Sequence, residues 1–175
     1  LTLDEVVALN DQLYALYKQT ATHAEFNLLD LHPEYFKELK RNLKDQIHFF
    51  SYSIEGSIAA FYTIIEDRSE SEAHFLGINE ELNRQHQLYL NILFDIIRFS
   101  IQRQYQSIRF ARTAIEIKSS VGARPFPMTC YIKHRRVINN TFVPYVLDFL
   151  NQKTNYVIRH PFKESEEVGL DLINN

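Results

Sequence analysis

Near residue 46 the spacing of apolar residues changes from that of a helix to that of a strand, and this change fixes the class of fold open to the chain. Upstream, Leu3, Val6, Val7, Leu9, Leu13, Leu16 and Tyr17 recur at close to helical spacing and predict an amphipathic helix over 3–19, with Asp4 and Glu5 at its positive end. His32-Pro33-Glu34 predicts the start of a second helix, with Tyr35, Phe36, Leu39 and Leu43 as its apolar stripe and an end near Lys44 or Asp45. Downstream, Ile47 to Ile54 is dense in aromatic and β-branched residues, Glu55-Gly56 is a turn signal, and Ser57 to Glu66 continues as a second strand. A polar loop over 67–72 then precedes a third run, Ala73 to Ile78, so a three-stranded antiparallel meander is expected.

The remaining pattern alternates. Leu82 to Gln104 carries the longest helical signal, with Asn91, Asp95, Arg98 and Gln102 as a narrow polar line. Ser107 to Ala111 reads as a strand, Ala114 to Ser120 as a short helix, Gly122 as its left-handed cap and Met128 to Lys133 as another strand. A helix over 139–152, a last strand over 156–160 and a polar tail over 164–175 complete the reading. The fold class expected is therefore α/β (α+β), a mixed and mostly antiparallel sheet flanked by helices, in one domain over 1–163. The chain opens on Leu1 rather than Met, which is the expected mark of a fragment or processed product.

Chemistry is narrowed first by exclusion. Nineteen Lys and Arg against 22 Asp and Glu give a net charge of −3, so no global positive field gathers nucleic acid or an anionic membrane. Cys130 is the only cysteine, which rules out an internal disulfide and a thiolate zinc cluster. No apolar run approaches the roughly 20 residues that span a bilayer, and a cytoplasmic setting without membrane attachment is expected. There is no GxSxG, Walker loop, GxGxxG or HExxH, and the seven histidines are scattered, so no metal is expected. The densest polar cluster lies between Arg109 and Phe126. It places Arg112 at the carboxyl end of a strand, where α/β sheets present ligand-contacting groups, with Glu116 and Lys118 on the next helical turn. A solvated charged helix with a glycine cap is the plainer reading of the same residues.

The order helix, helix, three-strand meander, long helix, strand, short helix, strand resembles the GNAT acyltransferase fold, in which splayed central strands admit an acyl donor. More narrowly, the run from Leu88-Tyr89-Leu90 through Arg112-Thr113, Glu116, Lys118 and Gly122 to Tyr131 resembles the FemAB-like branch of that superfamily, a bacterial type. The likeness covers about residues 30–135. Two departures stand out: Ala111 replaces the glycine that often precedes the arginine, and residues 77–85 lack the Gly-rich phosphate loop of ordinary GNAT enzymes. At that loop Glu80 and Glu81 would repel a pyrophosphate, and Arg84 alone offsets them.

The resemblance implies an N-acyltransferase that moves an acetyl, acyl or aminoacyl group to an amine. Its donor would be acyl-CoA (acetyl-CoA) or an aminoacyl-tRNA, and its acceptor a small-molecule or peptide amine. Lys118 is the position implied for stabilising the oxyanion or leaving group, Glu116 for orienting the cations, and Tyr131 for a hydroxyl donor. Arg112 and Thr113 would bind substrate, with His74 and Tyr89 as weaker substrate contacts whose alternative is core packing. Leu76, Gly77 and Ile78, followed by Arg84 and Gln85, are the positions implied for the donor's arm and phosphates. The alternative function is a non-catalytic module of the same fold or one half of a tandem transferase. A third reading is a homodimer that buries the first helix at its interface.

Overall fold

The computed structural model describes residues 1–23, 30–111, 114–129, 131, 133, 135–136, 140–145 and 157–162. Tertiary contacts gather the chain into two compact units, Leu1–Ala114 and Ile115–Asn175. In the first, helices α1 (Leu3–Ala8), α2 (Asn10–His23) and α3 (Tyr35–Leu43) precede strands β1 (Ile47–Ile54), β2 (Ser57–Asp67) and β3 (Glu70–Ile78). Helices α4 (Glu80–His86) and α5 (Leu88–Gln102) and strand β4 (Ser107–Phe110) follow. The sheet runs β1-β2-β3-β4, antiparallel up to β3 and parallel between β3 and β4. This is the expected mixed, mostly antiparallel sheet.

Period-two alternation sorts the strand residues onto two faces. Ile47, Phe49 and Phe61 join Val6, Leu13, Leu16, Tyr17 and Phe36 in a core beneath α1, α2 and α3. Ala60, Tyr62, Ile64 and Ile78 pack with Leu88, Ile92 and Ile96 of α5 on the other face. Six consecutive residues of β2, from Ala59 to Ile64, are buried, as befits a central strand covered on both sides. Most of the apolar stripe of the first predicted helix, from Val6 through Leu9, Leu13, Leu16 and Tyr17, packs in this core, while Leu3 and Val7 are exposed.

The hairpin turn falls at Glu55-Gly56, both with positive φ, as the sequence predicts. Elsewhere boundaries move for identifiable reasons. The helix predicted over 3–19 is divided at Leu9 and runs on to His23; Asn10, buried at the join, donates Nδ2 to Pro33 O at 3.1 Å. The loop predicted over 67–72 shrinks to Arg68-Ser69, with Asp67 paired to Glu70. Ser71 Oγ there shares a buried hydrogen bond with Ser100 Oγ at 2.7 Å, so a polar residue pairs in the sheet without loss.

The long helix predicted over 82–104 is broken at Gln87, which is left-handed. Asparagines satisfy the groups that the break exposes. Asn83 Oδ1 accepts from Tyr89 N–H at 3.0 Å and Asn91 Nδ2 donates to His86 O at 2.9 Å, whereas Asn79 caps the start of α4, its Oδ1 accepting from Leu82 N–H at 3.2 Å.

In the second unit, α6 (Ile115–Ser119) ends as predicted on Gly122, with φ +89. Ala123 N–H bonds to Lys118 O at 3.2 Å and Gly122 N–H to Ser119 O at 3.0 Å, the paired bonds of a Schellman cap. The strand predicted over 128–133 is not formed at Met128, Thr129, Tyr131 or Lys133; Met128 and Tyr131 are over nine-tenths exposed, and Pro125 and Pro127 precede them. Nor do Val157 to His160 form a strand. That segment docks on α6 through side chains instead: Arg159 N–H donates to Ser119 Oγ at 2.9 Å and its guanidinium to Glu116 at 2.6 Å. Of the helix predicted over 139–152, residues 140–145 are helical. Residues 146–152 and the tail 164–175 lie outside the described residues.

Candidate active site

The geometry of interest is on β3. Four residues, Glu70 to Ala73, pair in parallel with Ser107 to Phe110, and there β4 ends. From His74 to Ile78, β3 continues with no strand on that edge among the described residues. The ladder on its other edge shows which way its backbone groups point. Asn79 N–H bonds to Ala59 O at 2.8 Å, and the register pairs Ala60 with Ile78, Phe61 with Gly77 and Tyr62 with Leu76. Because antiparallel pairs alternate between bonded and non-bonded, Gly77 faces β2, whereas Leu76 and Ile78 turn their N–H and C=O groups away from it. Those groups face the opening where β4 has left the sheet.

A bulge sits at the mouth of this opening. Thr63 faces two β3 residues, His74 and Phe75, because the register slips between the pairs Tyr62–Leu76 and Ile64–Ala73. The Thr63 hydroxyl takes the place of a ladder partner: it accepts from Phe75 N–H at 2.8 Å and donates to Phe75 O at 2.9 Å. Thr63 is 1% exposed, so these bonds are shielded from water. At the far end, Ile78 N–H donates to Thr20 Oγ1 of α2 at 3.0 Å. Gly77 lets α2 come this close: a Cβ built there would stand within 2.6 Å of the Leu16 and Tyr17 backbone.

His74 leads its ring under α3. Its Nε2 lies 2.9 Å from the Tyr35 hydroxyl and its Nδ1 3.4 Å from Glu72 Oε1. Burial, the largest influence, lowers the His74 pKa against the opposing pull of Glu72. Burial likewise raises Tyr35. Neither Tyr35 nor Glu72 was singled out from the sequence; they lie 39 and two residues from His74, and periodicity does not reveal which side chains a bulge will aim together.

The other candidates divide. Leu76, Gly77 and Ile78 lie on the open half of β3, with Leu76 and Ile78 presenting backbone and Gly77 seating α2. Arg84 and Gln85 are exposed on α4. Glu80 and Glu81 occupy the first turn of α4, whereas the long helix α5 starts afresh at Leu88, after the last turn of α4 with its Arg84 and His86. Tyr89 is packed at the start of α5 against the sheet, and burial pushes its hydroxyl up to about 12.

In the second unit Lys118 is 7% exposed, and burial brings its ammonium down to about 8. Glu116, expected beside Arg112 and Lys118, is bound by Arg159. Tyr131, expected to face a cleft, is 93% exposed. Arg112 and Thr113 lie outside the described residues. Arg109, the first residue of that polar cluster, pairs with Glu70.

Among the described residues no group of three or more His, Cys, Asp or Glu is placed to hold a metal ion. Nor is any described helix long and apolar enough to cross a membrane.

Residues 1–119 match the family described as the acetyltransferase (GNAT) domain. No curated protein matches the chain. Among solved structures, one similar chain is a predicted acetyltransferase with acetyl-CoA from Clostridium acetobutylicum. It has 9% identity and a TM-score of 0.59, covering 74% of this chain and 94% of its own. A ribosomal-protein-alanine N-acetyltransferase from Brucella melitensis biovar Abortus 2308 aligns at 12% identity and TM-score 0.53, covering 77% and 96%. An aminoglycoside acetyltransferase from an uncultured soil metagenomic sample, in complex with trehalose, aligns at 11% identity and TM-score 0.54, covering 77% and 93%.

Proposed function

This chain belongs to the GNAT acetyltransferase family and is an N-acetyltransferase of that type; from that premise we propose that it takes acetyl-CoA as donor, along the open half of β3, and passes the acetyl group directly to an amine. The observation that carries this reading is the outward-facing backbone of Leu76 beyond the last β4 pair, with the Ile78 carbonyl on the same edge and the Ile78 N–H held by Thr20. An extended arm with amide groups, such as the pantetheine of CoA, can bond there as a further strand would. The Clostridium acetobutylicum structure, which contains acetyl-CoA, supports the choice of donor.

The break at Gln87 supports the same reading. It confines Glu80 and Glu81 to the start of α4 and gives the long helix a separate start that follows the last turn of α4, which carries Arg84 and no carboxylate. An aminoacyl-tRNA would require a wide basic surface that a chain of net charge −3 supplies poorly.

Within the family we place the chain in the FemAB-like branch, on the segment from Ala111 to Gly122. Lys118 of the second unit is the cation that this resemblance nominates, and burial brings its ammonium down to about 8. The acceptor is a small-molecule or peptide amine.

The test is calorimetric titration with acetyl-CoA, followed by thiol release in the presence of an alanine-terminated peptide, an aminoglycoside and spermidine. Binding, and release that depends on an amine, are expected. Absence of acetyl-CoA binding contradicts the donor assignment.

A further inference from the structure

The cluster of Glu72, His74 and Tyr35 lies at the mouth of the opening, and its three groups form a chain of the kind that moves protons. Ala73 is the last β3 residue paired to β4, opposite Phe110, and His74 is the next residue. Leu76, whose backbone faces the opening, is two residues further, about 7 Å along the strand. The bulge re-aims His74 toward α3, where the Tyr35 hydroxyl meets Nε2 at 2.9 Å. Glu72 Oε1, at 3.4 Å from Nδ1, favours the tautomer with its proton on that nitrogen. Nε2 is then the acceptor, the Tyr35 hydroxyl is its donor, and the phenol oxygen keeps lone pairs for an incoming N–H.

We propose that Glu72, His74 and Tyr35 are a proton relay whose Tyr35 oxygen takes the proton of the acceptor amine, which approaches from the α3 side of β3. The assignment rests on the acetyl-CoA reading above. As the amine nitrogen bonds to the acetyl carbon, its N–H proton passes to the Tyr35 oxygen and the Tyr35 proton to His74 Nε2. The resulting imidazolium is held by the Glu72 carboxylate. Collapse of the tetrahedral intermediate breaks the C–S bond, the thiolate takes a proton from water, and the imidazolium returns its proton to solvent through Tyr35. The net change is amine plus thioester to amide plus thiol.

The surroundings suit this role. The imidazole side chain is 22% exposed and Glu72 is 44% exposed, so the acidic end reaches solvent while the ring is sheltered. Besides Glu72 on its own strand and Tyr35 on α3, the titratable groups acting on the chain are Tyr17 of α2, through Tyr35, and Arg109 of β4, through Glu72. Phe75 and Phe36 fill the space around the Tyr35 ring.

The test compares Tyr35→Phe, His74→Gln and Glu72→Gln with the wild type. The measurements are thiol release with the three probe amines from about pH 6 to 9 and calorimetric titration of acetyl-CoA. Tyr35→Phe and His74→Gln are each expected to lower kcat/KM about 100-fold while acetyl-CoA affinity stays within about twofold. The double variant should be no slower than either alone, because the groups act as a unit. Glu72→Gln should lose about 10-fold and move the acid limb of the profile to lower pH, since the ring loses the charge that favours its protonation. Should His74→Gln fail to fold, Tyr35→Phe decides, as it removes one oxygen.

Rates within about threefold of wild type for the variants at every pH overturn the relay alone and leave the donor reading intact. Wild-type protein that binds acetyl-CoA but releases no thiol with any of the three amines also overturns the relay. Wild-type protein that fails to bind acetyl-CoA overturns the donor reading, and the relay with it.

Discussion

The two halves of β3 solve the same backbone problem differently. From Glu70 to Ala73 the strand has neighbours on both edges, β2 and β4, and its buried Ser71 is tied to Ser100 of α5. From His74 to Ile78 it has β2 alone among the described residues; Thr63 supplies the bonds that Phe75 needs, Thr20 meets Ile78 N–H, and the Leu76 groups face outward. A closed half gives rigidity, and an open half keeps hydrogen-bonding capacity for a ligand. Side-chain hydroxyls at both ends hold the open half in shape, so it stays extended without a fourth strand beside it.

The sharpest way to break this contrast is Gly77→Ala. The new Cβ would be forced against the Leu16 and Tyr17 backbone and the Phe61 ring, and backbone cannot rotate aside. Urea denaturation should show a loss of about 3 kcal/mol, and a loss under about 1 would mean that α2 is not seated on the strand. Thr63→Val is next. It keeps the shape but strips both bonds from the bulge, with an expected cost of about 2 kcal/mol and weakened acetyl-CoA binding in the same titration. Ser71→Ala, in the closed half, should cost about 1 kcal/mol and leave acetyl-CoA affinity unchanged. Equal effects of Thr63→Val and Ser71→Ala on donor binding would erase the distinction between the halves.

The smallest expected effect is in pH dependence. Burial depresses His74 below its ordinary 6.5, so the unfolded chain takes up that proton first as the pH falls. Its contribution to stability is complete above about pH 6.5 and drains as the pH drops through the folded value. His74→Gln should flatten that part of the stability profile, and an unchanged slope would show that the ring is not sheltered.

Much of the architecture is legible in the sequence because it rests on local rules. The shift of period near residue 46, Glu55-Gly56 and Gly122 each dictate a backbone state on their own, and the structure has all three. The Gln87 break is hidden because an apolar stripe continues through it; the side chains that satisfy it, Asn83 and Asn91, read as ordinary polar positions. Ser71 and Glu70 look like loop residues until their partners, Ser100 and Ser107, arrive from 29 and 37 residues away. Residues 128–133 have the composition of a strand, but at Met128, Thr129, Tyr131 and Lys133 no strand forms, since pairing needs a neighbour that composition does not supply. At the site, Leu76 and Ile78 follow from the resemblance and His74 was singled out, but its partners were not. Tyr35 reads as a helix-stripe residue and Glu72 as part of a polar loop, and only the bulge opposite Thr63 brings them to one ring.

Amide hydrogen exchange at Leu76 and Gly77, followed with and without saturating acetyl-CoA, probes the open edge most directly. Leu76 N–H should exchange readily in the free protein and slow by at least about tenfold with donor bound, while Gly77 N–H, already directed at β2, stays protected in both states. Bound acetyl-CoA with no change at Leu76 would contradict the open half of β3 as the place where the donor lies.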